Sequence, residues 1–177
     1  MNKPEYVVLV DENDQIIGSE EKIKAHEMAL RHRAFSVFIY RSNPLEILIH
    51  QRHPGKYHCG SLWTNTCCGH PRVGEDTIAA GERRLMEEMG INANLSEVGI
   101  FEYKSQFNNG LTEHEIDHVL AGELTKTSFT VNPEELIDHR WTTIDQIEID
   151  LSNKPEHYTP WLPQALKIFK RSMGSDL

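Results

Sequence analysis

The chain has 177 residues, 38% hydrophobic and 25% charged, a composition that fits a globular fold and excludes collagenous and disordered classes. Its 18 basic against 27 acidic residues leave a net charge of −9, so the bulk field repels nucleic acid and anionic membranes, and an anionic substrate would need cations placed for it. The longest apolar runs, such as Tyr6–Val10 and Phe35–Tyr40, fall far short of the ~18 residues of a membrane span, and no secretory h-region opens the chain; a single cytoplasmic domain over residues 1–177 is expected.

Tyr6–Val10 and Ile16–Ile17, separated by the turn-like Asp11–Gln15, predict an N-terminal hairpin. Ser19 is the expected N-cap of a helix that continues through Ile23, Ala25, Met28 and Ala29 and ends near His32. Ala34–Tyr40 and Leu45–His50 flank Ser42-Asn43-Pro44 as a second hairpin. Residues 51–61 form a polar loop rich in potential cations, followed by an extended segment over Trp63–Cys68 and a loop over Gly69–Gly74. Glu75–Met89 carries a helical pattern with Ile78, Leu85 and Met89 inward and Gly90 in the C′ position. Val98–Tyr103, Glu113–Leu120 and Asp138–Trp141 read as strands, the first two joined at Asn109-Gly110. Thr143–Ile149 and Pro163–Met173 read as closing helices, with a frayed polar tail from Lys170 onward. The mixture predicts an α+β fold, a mixed sheet flanked by helices.

Several residues carry possible chemistry. Arg84 and Glu88 stand four apart on one helical face, where an acid could hold a cation while the guanidinium meets an anion; an ordinary solvent-exposed charge pair is the plainer alternative. Cys68 and His70 lie two apart in an extended segment and could face one cavity, with the thiol either a nucleophile or proton carrier or simply a small buried hydrophobe. Three cysteines, Cys59, Cys67 and Cys68, form an odd set whose adjacent pair makes a poor disulfide. Glu113 and Glu115 share one face of a strand while His114 and Ile116 share the other, an arrangement that is costly unless the acids are solvated or share a cation. His26 and His32 are six apart, about 240° around a helix, so they converge only if the helix ends between them.

The segment from Gly69 to Ile91 resembles the Nudix box: Gly, five residues, Glu, seven residues, Arg-Glu-apolar, one residue, Glu-Glu, one residue, Gly-apolar. Gly69, Glu75, Arg83, Leu85, Glu87, Glu88, Gly90 and Ile91 match at the required spacing, and Arg84 replaces the first Glu of the metal-binding helix, a group that hydrolytic members use. A Nudix-like mixed sheet flanked by helices is therefore expected. Together with Ala25-His26, His32-Arg-Ala-Phe-Ser, Trp63-Thr-Asn-Thr-Cys-Cys-Gly-His-Pro, Tyr103 and Glu113-His-Glu, the box is similar to that of the type 1 isopentenyl diphosphate isomerases, Nudix-fold enzymes of isoprenoid biosynthesis.

That resemblance implies interconversion of isopentenyl and dimethylallyl diphosphate by protonation and deprotonation. It implies one divalent transition metal (Mn²⁺, Zn²⁺ or Fe²⁺) on His26, His32, His70, Glu113 and Glu115, and Mg²⁺ with the diphosphate, held through Glu88 and the main chain near Cys68. Glu115, hydrogen-bonded near Tyr103, would deliver the proton, Cys68 would remove one from the opposite side, and Trp161 would offer its π face to the cation. Lys22, Arg52, Lys56 and Arg84 would bind the diphosphate, and Arg84 fits the isomerase pattern. The expected partner is the isoprenoid diphosphate alone, with no nucleic acid and no membrane; the oligomeric state stays open, and a monomer is compatible with the sequence. The alternatives are a Nudix hydrolase of a nucleoside diphosphate derivative and a non-catalytic binding module.

Overall fold

The chain folds around one long strand in the computed structural model, which describes residues 4–124 and 128–174. A hairpin of β1 (Tyr6–Val10) and β2 (Ile16–Glu21) leads through a short helix, α1 (Lys22–Glu27), into β3 (His32–Ser42) and β4 (Leu45–Arg52). Two brief strands, β5 (Trp63–Thr64) and β6 (Cys67–Gly69), precede helix α2 (Thr77–Met89). Strands β7 (Ser96–Gln106), β8 (Thr112–Glu123) and β9 (Leu136–Thr142) follow, then α3 (Ile144–Asn153), a 3-10 turn over Pro155–His157, and α4 (Leu162–Ser172).

β3 pairs antiparallel with β1, β4 and β6 and parallel with β8, which makes the sheet mixed. Alternation along β3 sends Phe35, Val37 and Ile39 to one face and Phe38 to the other, all at most 1% exposed. The first face packs under α2 with Leu85, Met89 and Leu120; the second packs under α4 with Leu162, Leu166 and Phe169. Each such buried side chain contributes about 1.5–3 kcal/mol, so the two layers clamp β3 in register.

α2 is held at its start by Asp76, whose carboxylate accepts from the Ile78 and Ala79 amides at 3.0 and 3.1 Å, and at its end by Gly90 at φ +64°. The preceding loop is pinned by Glu75, which accepts from Arg83 Nε and Nη2 at 2.7 and 2.9 Å.

Several expectations are corrected. The cap of α1 is Glu21, which accepts from the Ile23 and Lys24 amides, because Ser19 still belongs to β2. α1 also ends at Glu27 rather than near His32. Ala29 adopts φ +53° and the Leu30 amide reaches back to Ala25 O at 2.9 Å, closing the helix with alanine where glycine usually stands. Finally, Trp63–Cys68 is two strands, not one. β3 and β4 pair only near their hairpin end, from Tyr40–Ile47 to Ser42–Leu45, and then diverge; β5 follows β4, β6 follows β3, and Asn65-Thr66 crosses the fork. Thr66 is the bridge, its Oγ1 donating to Leu48 O and accepting from the Ile39 amide. At the C-terminus α4 continues to Ser172, with Lys170 paired to Glu148 at 2.9 Å, so the polar tail starts later than expected; residues 175–177 lie outside the described residues. Among the described residues no helix is long and apolar enough to cross a membrane.

Candidate active site

A cleft of about 850 Å³ opens beside β3, and its walls include Cys68, His70, Glu88, Glu115 and Trp161. At one end of this lining His70, Glu113 and Glu115 join the buried His26 and His32 in presenting five ligand atoms, all within 4.8 Å of one another. The two acids reach it through strand alternation on β8 and are 2% and 7% exposed, while His114 turns to the other face and meets Glu102. The solvated-strand alternative is thereby excluded. Because β8 runs parallel to β3 with Glu115 beside His32, the sheet register brings one histidine to the acids. The break after Glu27 brings the other, and the His26 and His32 ring centroids stand 4.7 Å apart.

The histidine tautomers follow from their partners. Backbone carbonyls accept only, so His26 Nδ1 donates to Lys22 O at 2.6 Å and His32 Nδ1 donates to Leu30 O at 2.8 Å. Both Nε2 atoms then face the acids, His26 at 3.1 Å from Glu113 and His32 at 3.7 and 3.6 Å from Glu113 and Glu115. His32 Nε2 is buried without a hydrogen-bond partner. A lone pair aimed at a carboxylate needs a proton or a cation between them. Three imidazoles and two carboxylates, with the outer nitrogens of His26 and His32 fixed by the backbone, fit a divalent transition metal.

Electrostatics push the paired acids apart. Burial alone would raise Glu113, but the imidazoles of His26, His32 and His58 beside it hold it well below the ordinary carboxylate range. Burial, with Glu113 beside it, drives Glu115 well above that range. Burial would depress His32, yet the two acids raise it to about 10. Burial also pushes the Cys68 thiol up to about 12, with the Arg52 guanidinium opposing.

The expected residues all collect here. Cys68, on β6, donates from Sγ to Asn65 Oδ1 at 3.1 Å. Tyr103 stands beside Glu115 in the β7–β8 register, but its buried hydroxyl has no hydrogen-bond partner, so the expected link to Glu115 is not formed. The Trp161 ring is 6.1 Å from Tyr103 and 5.5 Å from the Arg52 guanidinium carbon. Lys22, Arg52, Lys56 and Arg84 line the cleft, as does the buried Glu88 at the end of the box helix.

Other participants were not among the expected ones. Glu5 takes Lys22 at 2.7 Å, while Glu135, just before β9, contacts both Lys56 and Arg84, the latter at 3.3 Å. Three of the four cations are thus already neutralised, and Arg84 also contacts Glu87 and Glu88. His58 rests against Glu113 and stacks on Phe107 with centroids 4.7 Å apart. Asp117 continues the row of Glu113 and Glu115 and accepts from Ser36 Oγ at 2.8 Å, a signal the same two-residue spacing already held. Glu5 and Glu135 come from segments without a motif, and nothing local marks them.

Comparison with known proteins agrees with this geometry. Residues 30–162 match the NUDIX domain family. The chain is 44% identical over 175 residues to an isopentenyl-diphosphate Delta-isomerase of Photobacterium profundum, covering 97% of both chains. It is 46% identical over 169 residues to a protein of the same name from Aliivibrio fischeri, covering 92% of this chain and 93% of that one. Among solved structures, a Deinococcus radiodurans protein superposes with a TM-score of 0.75 at 18% identity, over 92% of this chain and 98% of its own. A MutT protein from Methanosarcina mazei gives 0.64 at 16% identity, over 81% and 95%. At such identities these two likenesses concern the fold alone.

Proposed function

This chain belongs to the Nudix family and, within it, to the isopentenyl-diphosphate Delta-isomerases, and from that membership we propose how its residues divide the work of moving a double bond between isopentenyl and dimethylallyl diphosphate. The observation that carries the reading is that Cys68 and Glu115 line one cleft from β6 and β8, the strands on either side of β3. Two proton carriers on separate strands suit a reaction in which one proton arrives and another leaves.

In the forward direction the Glu115 carboxyl donates its proton to C4 of the alkene, leaving a tertiary cation at C3. Cys68, as thiolate, takes a proton from C2, and the C–H electron pair becomes the C2–C3 double bond. In reverse the thiol donates to C2 and Glu115 accepts from the methyl group, so the protonated thiol that burial favours is loaded for this direction. Trp161 offers its π face to the cation, worth about 2 kcal/mol when desolvated, and Tyr103 directs its unpartnered hydroxyl to the Glu115 side. The apolar wall of Trp161 and the His58–Phe107 stack limits water, which would otherwise capture the cation.

Lys22, Arg52, Lys56 and Arg84 hold the diphosphate, which reconciles a net charge of −9 with an anionic substrate and favours a small molecule over nucleic acid or membrane as partner. His26, His32, His70, Glu113 and Glu115 would hold the transition metal (Mn²⁺, Zn²⁺ or Fe²⁺) and Glu88 the Mg²⁺ of the diphosphate; bound there, the ions would supply positive charge that orders the acids and offsets the phosphoryl oxygens. The whole chain works as one domain.

The test is proton NMR of the protein with isopentenyl diphosphate and Mg²⁺, with released phosphate assayed in the same tube. Growth of the two dimethylallyl methyl signals without phosphate is expected. Phosphate release without those signals would turn the assignment to hydrolysis.

A further inference from the structure

Asn65 and Thr64 lie in the fork between β3 and β4, fully buried, and neither belongs to the box, to the metal ligands or to the diphosphate cations. The Asn65 amide is oriented by the main chain. Its Nδ2 donates to Val37 O at 3.1 Å and Cys67 O at 2.8 Å, both of which can only accept, so Oδ1 must face the other way. There Oδ1 lies 3.1 Å from Cys68 Sγ, 2.9 Å from Thr64 Oγ1 and 3.3 Å from Trp161 Nε1. Three donors crowd an oxygen with two lone pairs. Thr64 relieves the excess, because its Oγ1 is nearer to the indole, at 3.1 Å, and is 2.9 Å from Thr159 Oγ1.

One assignment then satisfies every group. The Trp161 indole N–H and the Thr159 hydroxyl donate to Thr64 Oγ1, the Thr64 hydroxyl donates to Asn65 Oδ1, and the Cys68 thiol donates to the remaining lone pair of Asn65 Oδ1. No donor or acceptor of Asn65 or Thr64 is left over, as a buried polar network requires. We propose that Asn65 and Thr64 are positioning residues that hold the protonated Cys68 thiol and the indole to one common anchor, so that the thiol that donates to C2 and the cation-facing ring keep a fixed mutual position in the cleft. The proposal rests on the roles given above to Cys68 and Trp161. It assigns the anchor to the peptide groups of Val37 and Cys67, which belong to the β3–β6 ladder and cannot move without the sheet.

The S–H stretching band of Cys68 reports the anchor without reference to turnover. The band is assigned by difference against Cys68→Ala and compared with Asn65→Leu, of similar volume. In Asn65→Leu it is expected at the higher frequency of a free thiol, with kcat down about tenfold or more and KM within about threefold. An unmoved band would overturn the proposal even if activity fell. Should Asn65→Leu fail to fold, the Thr64 pair decides. Thr64→Val is expected to lower kcat about tenfold at nearly constant KM, and Thr64→Ser, which retains the hydroxyl, to restore it. Equal activity in Thr64→Val and wild type, or equal loss in both variants, would overturn the proposal. Retained activity in Cys68→Ala would instead remove the reading of the thiol as proton carrier, while the band would still decide whether Asn65 holds it.

Discussion

His26 and His32 hold their ring centroids 4.7 Å apart although a continuous helix would place them about 240° from each other. The left-handed Ala29 ends α1 and turns the chain into β3, so the backbone break itself assembles one corner of the ligand set.

Metal removal is expected to cost stability as well as activity. Without a cation, Glu113, Glu115 and the His26 and His32 nitrogens are left facing one another in a buried space. A metal at a hundred times its Kd stabilises the folded state by about 2.7 kcal/mol. Chelation should therefore lower the Tm of the wild type by several degrees and leave that of His26→Ala little changed.

Cys68→Ala and Glu115→Gln are each expected to lower kcat by about a thousandfold or more, within the range for lost acid–base groups, while circular dichroism stays native. Activity within severalfold of wild type in either variant would remove that residue from the proton path.

Glu135→Gln should strengthen binding of inorganic diphosphate. Glu135 occupies both Lys56 and Arg84, and an incoming anion must compete with it. An increase of about three- to tenfold in affinity without Mg²⁺, read by titration calorimetry, is expected from removing one competing charge. Weaker binding would mean that Glu135 chiefly orients the two cations.

The buried His50 predicts a pH effect on stability. Its Nδ1 donates to Thr66 O at 3.0 Å, and burial, with the Arg52 charge adding to it, lowers the group to about 3. The unfolded chain binds this proton near pH 6.5 and the folded chain does not, so the contribution is complete above pH 6.5 and is lost as pH falls toward 3. The slope is about 1.4 kcal/mol per pH unit, or about 2 kcal/mol by pH 5. Urea denaturation of wild type against His50→Gln should show a gap that narrows across this window, and the His50 ring resonances should stay neutral at pH 5.

The sequence was most informative where chemistry and periodicity coincide. The Gly69–Ile91 box, the Glu113–Glu115 alternation and the helix from Asp76 to Gly90 could be read because spacing alone fixes which face each side chain takes. The end of α1 could not, because Met28 and Ala29 continue an apolar helical pattern and no glycine marks the left-handed position. The fork at Asn65-Thr66 was hidden for a different reason: β5 and β6 are defined by the separate partners they find, β4 and β3, and not by a turn signal of their own. Glu5 and Glu135 lie far from the cations they meet, so only the folded chain reveals them.

The parallel pairing of β3 with β8 sets His32 beside Glu115 in the same ladder that sets Phe38 beside Ala121 in the core. A slip of one residue would turn Glu113, Glu115 and Asp117 together out of the cleft and bring His114, Ile116 and His118 to it instead. Hydrophobic burial therefore proofreads the His/Glu cluster: a chain that has packed its core correctly has already arranged its donors, and a misregistered intermediate would have neither.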